Sequence, residues 1–353
     1  MSTDKYEAVA REFCPIFAQK VDKDWPAADQ IAPIDFAVPG DIHASVKENP
    51  FELVRRSRSE CKDFIVEHPK VYYSVCETHT HYFLIYAVYH PLDWWKYIDD
   101  DLLENPIRWI RAQFDEHVHD MEGALLVVTK DVEPSRAGHG IVDAVVTVSH
   151  RDLLLYANPV RRDSTTGRLK PYSEANRKIV AFQGSRGLAG NVLMDDELDR
   201  VKLYMEARGH GIRGDFGSWR TGDEEWWYNV SDFKEDFKGR ASQKNKRYAF
   251  FDLEDIFKPH TGLWAYRLEE EVFIQSQRGR WTFASFGWVD KQTRRLQAGK
   301  ANPPWSWNDE KDTAPMGELA TDPARFILRC TQGLGPVSPE YIYNPYLKIG
   351  VAE

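Results

Sequence analysis

Apolar positions along this chain recur mainly with a period of two or in short unbroken runs, a rhythm that predicts strands more than helices. The start is an exception. Tyr6, Val9, Ala10 and Phe13 fall at helical spacing, and Pro15 closes the helix they predict. Ile34 to Phe36 reads as extended, leading into a turn at Pro39 and Gly40, while the charged stretch Leu53 to Val66 reads as helical. From Val71 the character changes. Val71, Tyr73 and Val75 alternate with Tyr72 and Ser74, Glu77 to Thr80 form a polar turn, and Tyr82 to Tyr89 complete a hairpin. Gly123 to Thr129, Ile141 to Ser149, Val201 to Ala207, Leu263 to Arg267 and Trp281 to Val289 are further predicted strands. Runs such as GALLVVT suit strands covered on both faces.

No regular alternation of strands and helices is present, which argues against a doubly wound parallel sheet. The predicted architecture is mainly β: a single β-sandwich core with helical decorations and long loops. Residues 1–70 are expected to form a helical and extended segment packed on that core. Residues 71–353 are expected to form the sandwich domain, with a long insertion near 158–200 where charge, Gly and Pro punctuate the chain. At 353 residues, 42% hydrophobic and 29% charged, the chain can bury a core without disulfides or metals as staples. Its net charge of −9 argues against a nucleic-acid partner and against attraction to an anionic membrane.

No apolar run approaches the roughly 18 residues that a transmembrane segment needs. The mixed-charge start MSTDKYEAVAREF has no secretory apolar region. Cys14, Cys61, Cys76 and Cys330 are far apart and include no C-x-x-C pair. Together these predict a cytoplasmic protein with free thiols and no structural zinc. Twelve Trp within an aromatic content of 13% predict either a thick core or the lining of a cleft.

The densest chemistry lies just before the GALLVVT strand. Asp115, Glu116, His117, His119, Asp120 and Glu122 put two imidazoles and four carboxylates into eight residues. If the strand begins near Asp120, the i, i+2 rule places Asp120 and Glu122 on one face, with His117 in the loop leading in. Such a convergence suits a divalent cation. Oxygen donors favour Mg²⁺ or Ca²⁺, with Mn²⁺ and, through the histidine, Zn²⁺ left open. The same cluster also fits a solvated loop of mixed charge, because it is no specific signature such as H-E-x-x-H.

His117-Val118-His119-Asp120-Met121-Glu122-Gly123 resembles the G-H-R-H-D-W-E region of the necrosis-inducing NLP cytolysins and their vacuolar-sorting-like relatives. The stretch from Tyr82, ending Tyr89-His90-Pro91-Leu92-Asp93-Trp94, is similar to that family's aromatic strand ending in Tyr-x-Pro-Lys-Asp. The resemblance implies a divalent cation held by Asp93, His117, Asp120 and Glu122, with His119 beside it. Ser149-His150 resembles the family's Ser-x-His-Gly piece, and Arg208-Gly209-His210-Gly211 its Gly-Ser-His piece. The likeness covers residues 71–130 most closely and 140–215 more loosely. Met121 stands where the family has Trp and Glu116 where it has Gly. With no secretion signal either, the metal site is expected to carry over and the cytolytic role is not.

Other motifs weigh less. Gly209-His-Gly211-Ile-Arg-Gly214 satisfies G-x-G-x-x-G, but DFGSWRTGDEEWW follows it with no helical stripe, so no dinucleotide site is expected. Gly184-Ser-Arg-Gly187-Leu-Ala-Gly190 lacks the Lys-Ser/Thr of a P-loop. Asp99 to Asp101 and the acidic run 222–225 read as solvated faces, and His79 and His81 flank a hairpin turn. Asn302 to Asp309 sets Trp305 and Trp307 among stiff prolines, as a lid or, more simply, a core clamp.

The function these residues predict is a metal-dependent hydrolase or lyase with a Trp-rich cleft. The cation would polarise a substrate oxygen or activate water, and His119, His150 or His210 would move the proton. The alternative is a non-catalytic, metal-dependent binder of a small molecule, glycan or lipid head group, as the NLP resemblance implies. A third reading is a structural ion that pins two loops.

Overall fold

The computed structural model describes residues 3–23, 26–34, 66, 68–93, 117–130, 139–150, 152–158, 160–162, 169–171, 188–195, 200–214, 224–230, 246–258, 262–266, 272–276, 279–283, 288–289, 296–297, 301–308, 316–331 and 336–349. In chain order come helix α1 (Thr3–Phe13), strand β1 (Ile16–Val21), the one-turn α2 (Pro26–Asp29), β2 (Lys70–Thr78), β3 (His81–Asp93), β4 (His117–Thr129), β5 (Ile141–Ser149) and β6 (Asp152–Ala157). Short strands follow: β7 (Val160–Arg162), β8 (Leu169–Pro171), β9 (Leu188–Asn191), β10 (Leu193–Asp195), β11 (Arg200–Met205) and β12 (Ile212–Arg213). Then come β13 (Glu224–Val230), β14 (Lys246–Asp255), β15 (Val272–Ser276), β16 (Gly279–Phe283), β17 (Trp288–Val289) and β18 (Leu296–Gln297). Helices α3 (Glu318–Thr321) and α4 (Pro323–Cys330), strand β19 (Tyr341–Tyr343) and helix α5 (Pro345–Ile349) complete the order.

The chain is mainly β, as its alternation predicts. One mixed sheet runs β10-β11-β1-β13-β14-β2-β3-β4-β5-β6-β9, and β12, paired to β11, also packs on β5, so the sheet nearly closes on itself. Strand β14 turns the corner. Its residues 246–251 pair in parallel with β13, and 252–255 pair in parallel with β2.

Because successive side chains point to opposite faces, the long strands feed two cores. Tyr82, Leu84, Tyr86, Val88, Ala124, Leu126 and Val128 face inward, meeting Phe17, Leu203, Trp226 and Phe251 from across the closed sheet. Phe83, Ile85, Tyr89, Met121, Leu125 and Val127 face outward under Trp264, Trp305, Trp307, Phe326 and Tyr346. Each such buried side chain stabilises the fold by about 1.5–3 kcal/mol. This double burial explains why residues 82–89 and 124–128 are apolar at every position.

The Asn302–Trp307 segment is a core clamp. Trp307 donates from Nε1 to the Asn302 carbonyl at 2.8 Å, and Trp305 meets Trp264 edge-on at 5.0 Å. Two expectations need correcting. Leu263 to Tyr266 is a 3-10 turn rather than a strand, because Trp264 is drawn into the aromatic cluster with Phe257, Trp305 and Tyr346. The run from Trp281 is split into β16 and β17, with 284–287 outside the described residues. Phe36, the Pro39–Gly40 turn, residues 53–65, Asp99 to Asp101 and Cys61 also lie outside them. Cys14, Cys76 and Cys330 are buried and are not in disulfides. No helix among the described residues is long and apolar enough to cross a membrane.

Candidate metal centre

The β3–β4 pairing sets the site. Its register places Val88 opposite Glu122, His90 opposite Asp120, and Asp93 opposite His117. Along the inward face of β4 the alternation Val128, Leu126, Ala124 continues as Glu122 and Asp120, so the apolar lining turns acidic at this end. His90 of β3 and Gln19 of β1 reach the same end, and both are fully buried. Strand β4 begins at His117, so this residue lies on the strand and not in a leading loop as the sequence suggests. A left-handed backbone at His119 (φ 68°) interrupts the extended run between His117 and Asp120.

Asp93, His117 and Asp120 each offer a ligand atom within 4.8 Å of the other two. His117 Nε2 lies 3.8 Å from Asp93 Oδ2. Glu122, 2% exposed, accepts the His150 backbone N–H at Oε1 (3.1 Å). Its Oε2 and Asp93 Oδ1 are buried with no hydrogen-bond partner. Burial, then the Asp120 charge, pushes Asp93 up to about 6 and Glu122 well above the usual carboxylate range. The site is short of positive charge.

A second group, His90, Asp120 and His210, meets the same distance test. Its rings rule it out as a ready ligand set. His90 and His210 stack face to face, centroids 3.7 Å apart and planes 7° from parallel. Nitrogen lone pairs lie in the ring planes, so these run side by side and cannot converge on one ion. His210 instead bridges two carboxylates, Nδ1 to Asp120 Oδ2 at 2.8 Å and Nε2 to Asp29 Oδ1 at 3.3 Å. Burial alone would lower its pKa, but the bonds to Asp120 and Asp29 outweigh that and raise it to about 9. Burial, then the neighbouring His210, holds His90 well below the usual value. Its Nε2 donates to Gln19 Oε1 at 3.0 Å, and its Nδ1 has no partner.

At the rim, His150 follows β5 with φ 58° and turns its ring toward Glu206, Nε2 to Oε2 being 3.8 Å. The two side chains are 51% and 43% exposed. Interaction with Glu206 raises His150, and that with His150, ahead of Arg213, lowers Glu206 to about 2. The 208–211 loop lies flat on this ring. A Cβ at Gly209 would sit 2.5 Å from His150 Cε1, one at Gly211 2.6 Å from Ser149 Oγ, and one at Gly214 2.7 Å from Tyr156 Cγ. The G-x-G-x-x-G spacing is thus a packing requirement.

Of the residues singled out by sequence, Asp93, His117, Asp120, Glu122, His150 and His210 come together. His119 does not join them: its Nδ1 is bonded to Tyr89 Oη at 2.9 Å, beside the outer core. Asp29, His90, Gln19 and Glu206 escaped the sequence reading. For His90 a signal exists, since it continues the inward alternation Tyr86, Val88.

The fold and this cluster define a mainly β protein with a buried, carboxylate-rich centre at one end of a nearly closed sheet. No known family's sequence profile matches the chain, and neither does any curated protein. Among solved structures it is similar to one described as "Toxin fold for microbial attack and plant defense", at 13% identity over 61% of this chain and 70% of that one, with a TM-score of 0.29. It is also similar to the "non-toxic HaNLP3 protein", at 13% identity over 59% of each chain and a TM-score of 0.25. Both are distant likenesses of fold.

Proposed function

We propose that Asp93, His117, Asp120 and Glu122 hold a divalent cation, and that the protein is a cytoplasmic metal-dependent hydrolase or lyase acting on a small polar substrate. The observation that carries this reading is the pair of buried, unpartnered carboxylate oxygens, Asp93 Oδ1 and Glu122 Oε2, beside a third carboxylate. A buried anion without a partner is costly, and a cation supplies what is missing. Three carboxylates and one imidazole suit Mg²⁺ or Ca²⁺ best, with Mn²⁺ and Zn²⁺ as further candidates. When bound, such an ion polarises a substrate oxygen or lowers the pKa of a water. Asp93 and His117 keep side-chain exposures of 17% and 12%, which leaves the centre an outward side.

His150, half-exposed and oriented by Glu206, is placed to hold or move a proton there. His210, fully buried between two carboxylates, is better suited to orienting Asp120 than to proton transfer with substrate. The Trp-rich cleft expected around the centre draws no support from the tryptophans whose side chains are described. Trp226, Trp227, Trp264, Trp305 and Trp307 are all buried in the cores, so none of these lines an open cleft.

Thermal melting of metal-stripped protein against Mg²⁺, Ca²⁺, Mn²⁺ and Zn²⁺ tests the site. At least one ion should raise Tm saturably, by about 2.7 kcal/mol of stability at a hundred times its Kd. Asp120→Ala should abolish the rise, and Glu7→Ala, on the exposed face of α1, should keep it. His150→Ala should bind the ion yet lose turnover of whichever ester or glycoside the wild type cleaves. Binding by Asp120→Ala as tight as wild type would overturn the assignment.

A further inference from the structure

Asp29 stands at the back of this centre with no role in ligating it. It is fully buried in α2, and three groups from two separate parts of the chain converge on its carboxylate. Oδ2 accepts the Asp22 backbone N–H at 2.7 Å, and Oδ1 accepts the Arg208 backbone N–H at 2.8 Å. His210 Nε2 lies 3.3 Å from Oδ1, while the opposite nitrogen of the same ring bonds Asp120 Oδ2 at 2.8 Å. The stack on His90 keeps that ring from rotating, and Gln19 holds His90 in turn. Residues 29, 210 and 120 therefore form one line of contacts from α2 to the cation site.

We propose that Asp29 is the positioning residue of the centre, acting through His210 to hold the Asp120 carboxylate in the orientation that receives the cation. This rests on the cation reading above. The chemistry is the familiar one in which an outer carboxylate aims an imidazole, with the difference that the imidazole here steadies a ligand instead of being one. Losing an outer partner of this kind typically lowers metal affinity by about 10–100-fold. Asp29 also joins α2 to the 208–211 loop that lies against His150.

Calorimetric titration of the full chain with Mn²⁺ compares wild type, Asp29→Asn, His210→Gln and the double variant. Asp29→Asn keeps an acceptor oxygen for one of the two backbone N–H groups and should bind about 10–100-fold more weakly. The double variant should bind no more weakly than His210→Gln alone, since both changes cut one line of contacts. Unchanged affinity in Asp29→Asn, or equal losses in the wild-type and His210→Gln backgrounds, would overturn the proposal and leave the cation site standing. A wild type that binds none of Mg²⁺, Ca²⁺, Mn²⁺ and Zn²⁺ removes the site and the positioning role together. Should Asp29→Asn fail to fold, ¹⁵N spectra of wild-type His210 decide. Its ring-nitrogen resonances should shift when Mg²⁺, Ca²⁺ or Zn²⁺ is added, and resonances indifferent to every ion would refute the link.

Discussion

His81 sits at the far end of β3 from the cation centre, buried, with its ring between the hydroxyls of Thr80 at 2.8 Å and Thr129 at 3.2 Å. Burial, then the charge of Lys130, pushes it down to about 4. Its unfolded value is about 6.5, so over that interval the unfolded chain binds the extra proton and the native one does not. The stability tied to a neutral His81 is therefore present above about pH 6.5 and is lost as pH falls through about 4. Urea unfolding between pH 7 and 4 should show the wild type losing up to roughly 3 kcal/mol more than His81→Gln. Identical losses would mean the ring is as well hydrated as in the unfolded chain. At this scale the sequence was informative wherever chemistry is local. Asp120 and Glu122 share a strand face, and Asp93 was brought in by the resemblance of the segment before it. Asp29 and Glu206 were silent, because they lie 91 and 86 positions from Asp120 and join the centre only when the chain folds.

Elements whose two faces are both buried were the ones legible beforehand. β3 carries an unbroken apolar run, β2 and β5 are rich in β-branched or aromatic residues, and α1 carries a helical stripe, so pattern alone found them. β1, β13 and β14 were missed because their ends are charged. Lys20 and Glu225 pair across β1 and β13 at 3.3 Å, and Glu225 also accepts Trp227 Nε1 at 2.6 Å, so part of an apparent solvated acidic run belongs to a strand. The turn at Leu263 was misread because four apolar residues fit a strand and a core plug equally well. At Gly123 of β4 the elements touch so closely that any Cβ would collide with the Trp307 ring and the Tyr86 carbonyl. Gly123→Ala should destabilise the protein by about 1–3 kcal/mol, read as a fall in the denaturation midpoint with unchanged slope. A neutral result would show that the Trp307 clamp can retract.

At the scale of the whole molecule, the centre gathers side chains from β3, β4, the turn after β5, the β11–β12 loop and α2. The four proposed ligands all lie on β3 and β4, so an ion there would fasten the two halves of the nearly closed sheet only through the contacts of His210, Asp29 and His150. Hydrogen–deuterium exchange should accordingly slow on cation loading at Arg208 to Gly211 and around Asp29, and not only along β3 and β4. Protection confined to that hairpin would deny the ion any part in closure. The order of the strands carries a further consequence. β1 lies between β11 and β13, its Phe17 opposite Leu203 on one side and Tyr228 on the other. While the chain is being synthesised, this early strand has neither neighbour until about two hundred more residues have been added, roughly 10–40 s at ordinary elongation rates. The β2–β5 meander, whose strands pair in order, has every partner long before then. The ribosome-bound chain thus carries a half-built sheet with an open inner face, and the interval before β13 emerges is when this protein has most need of a chaperone.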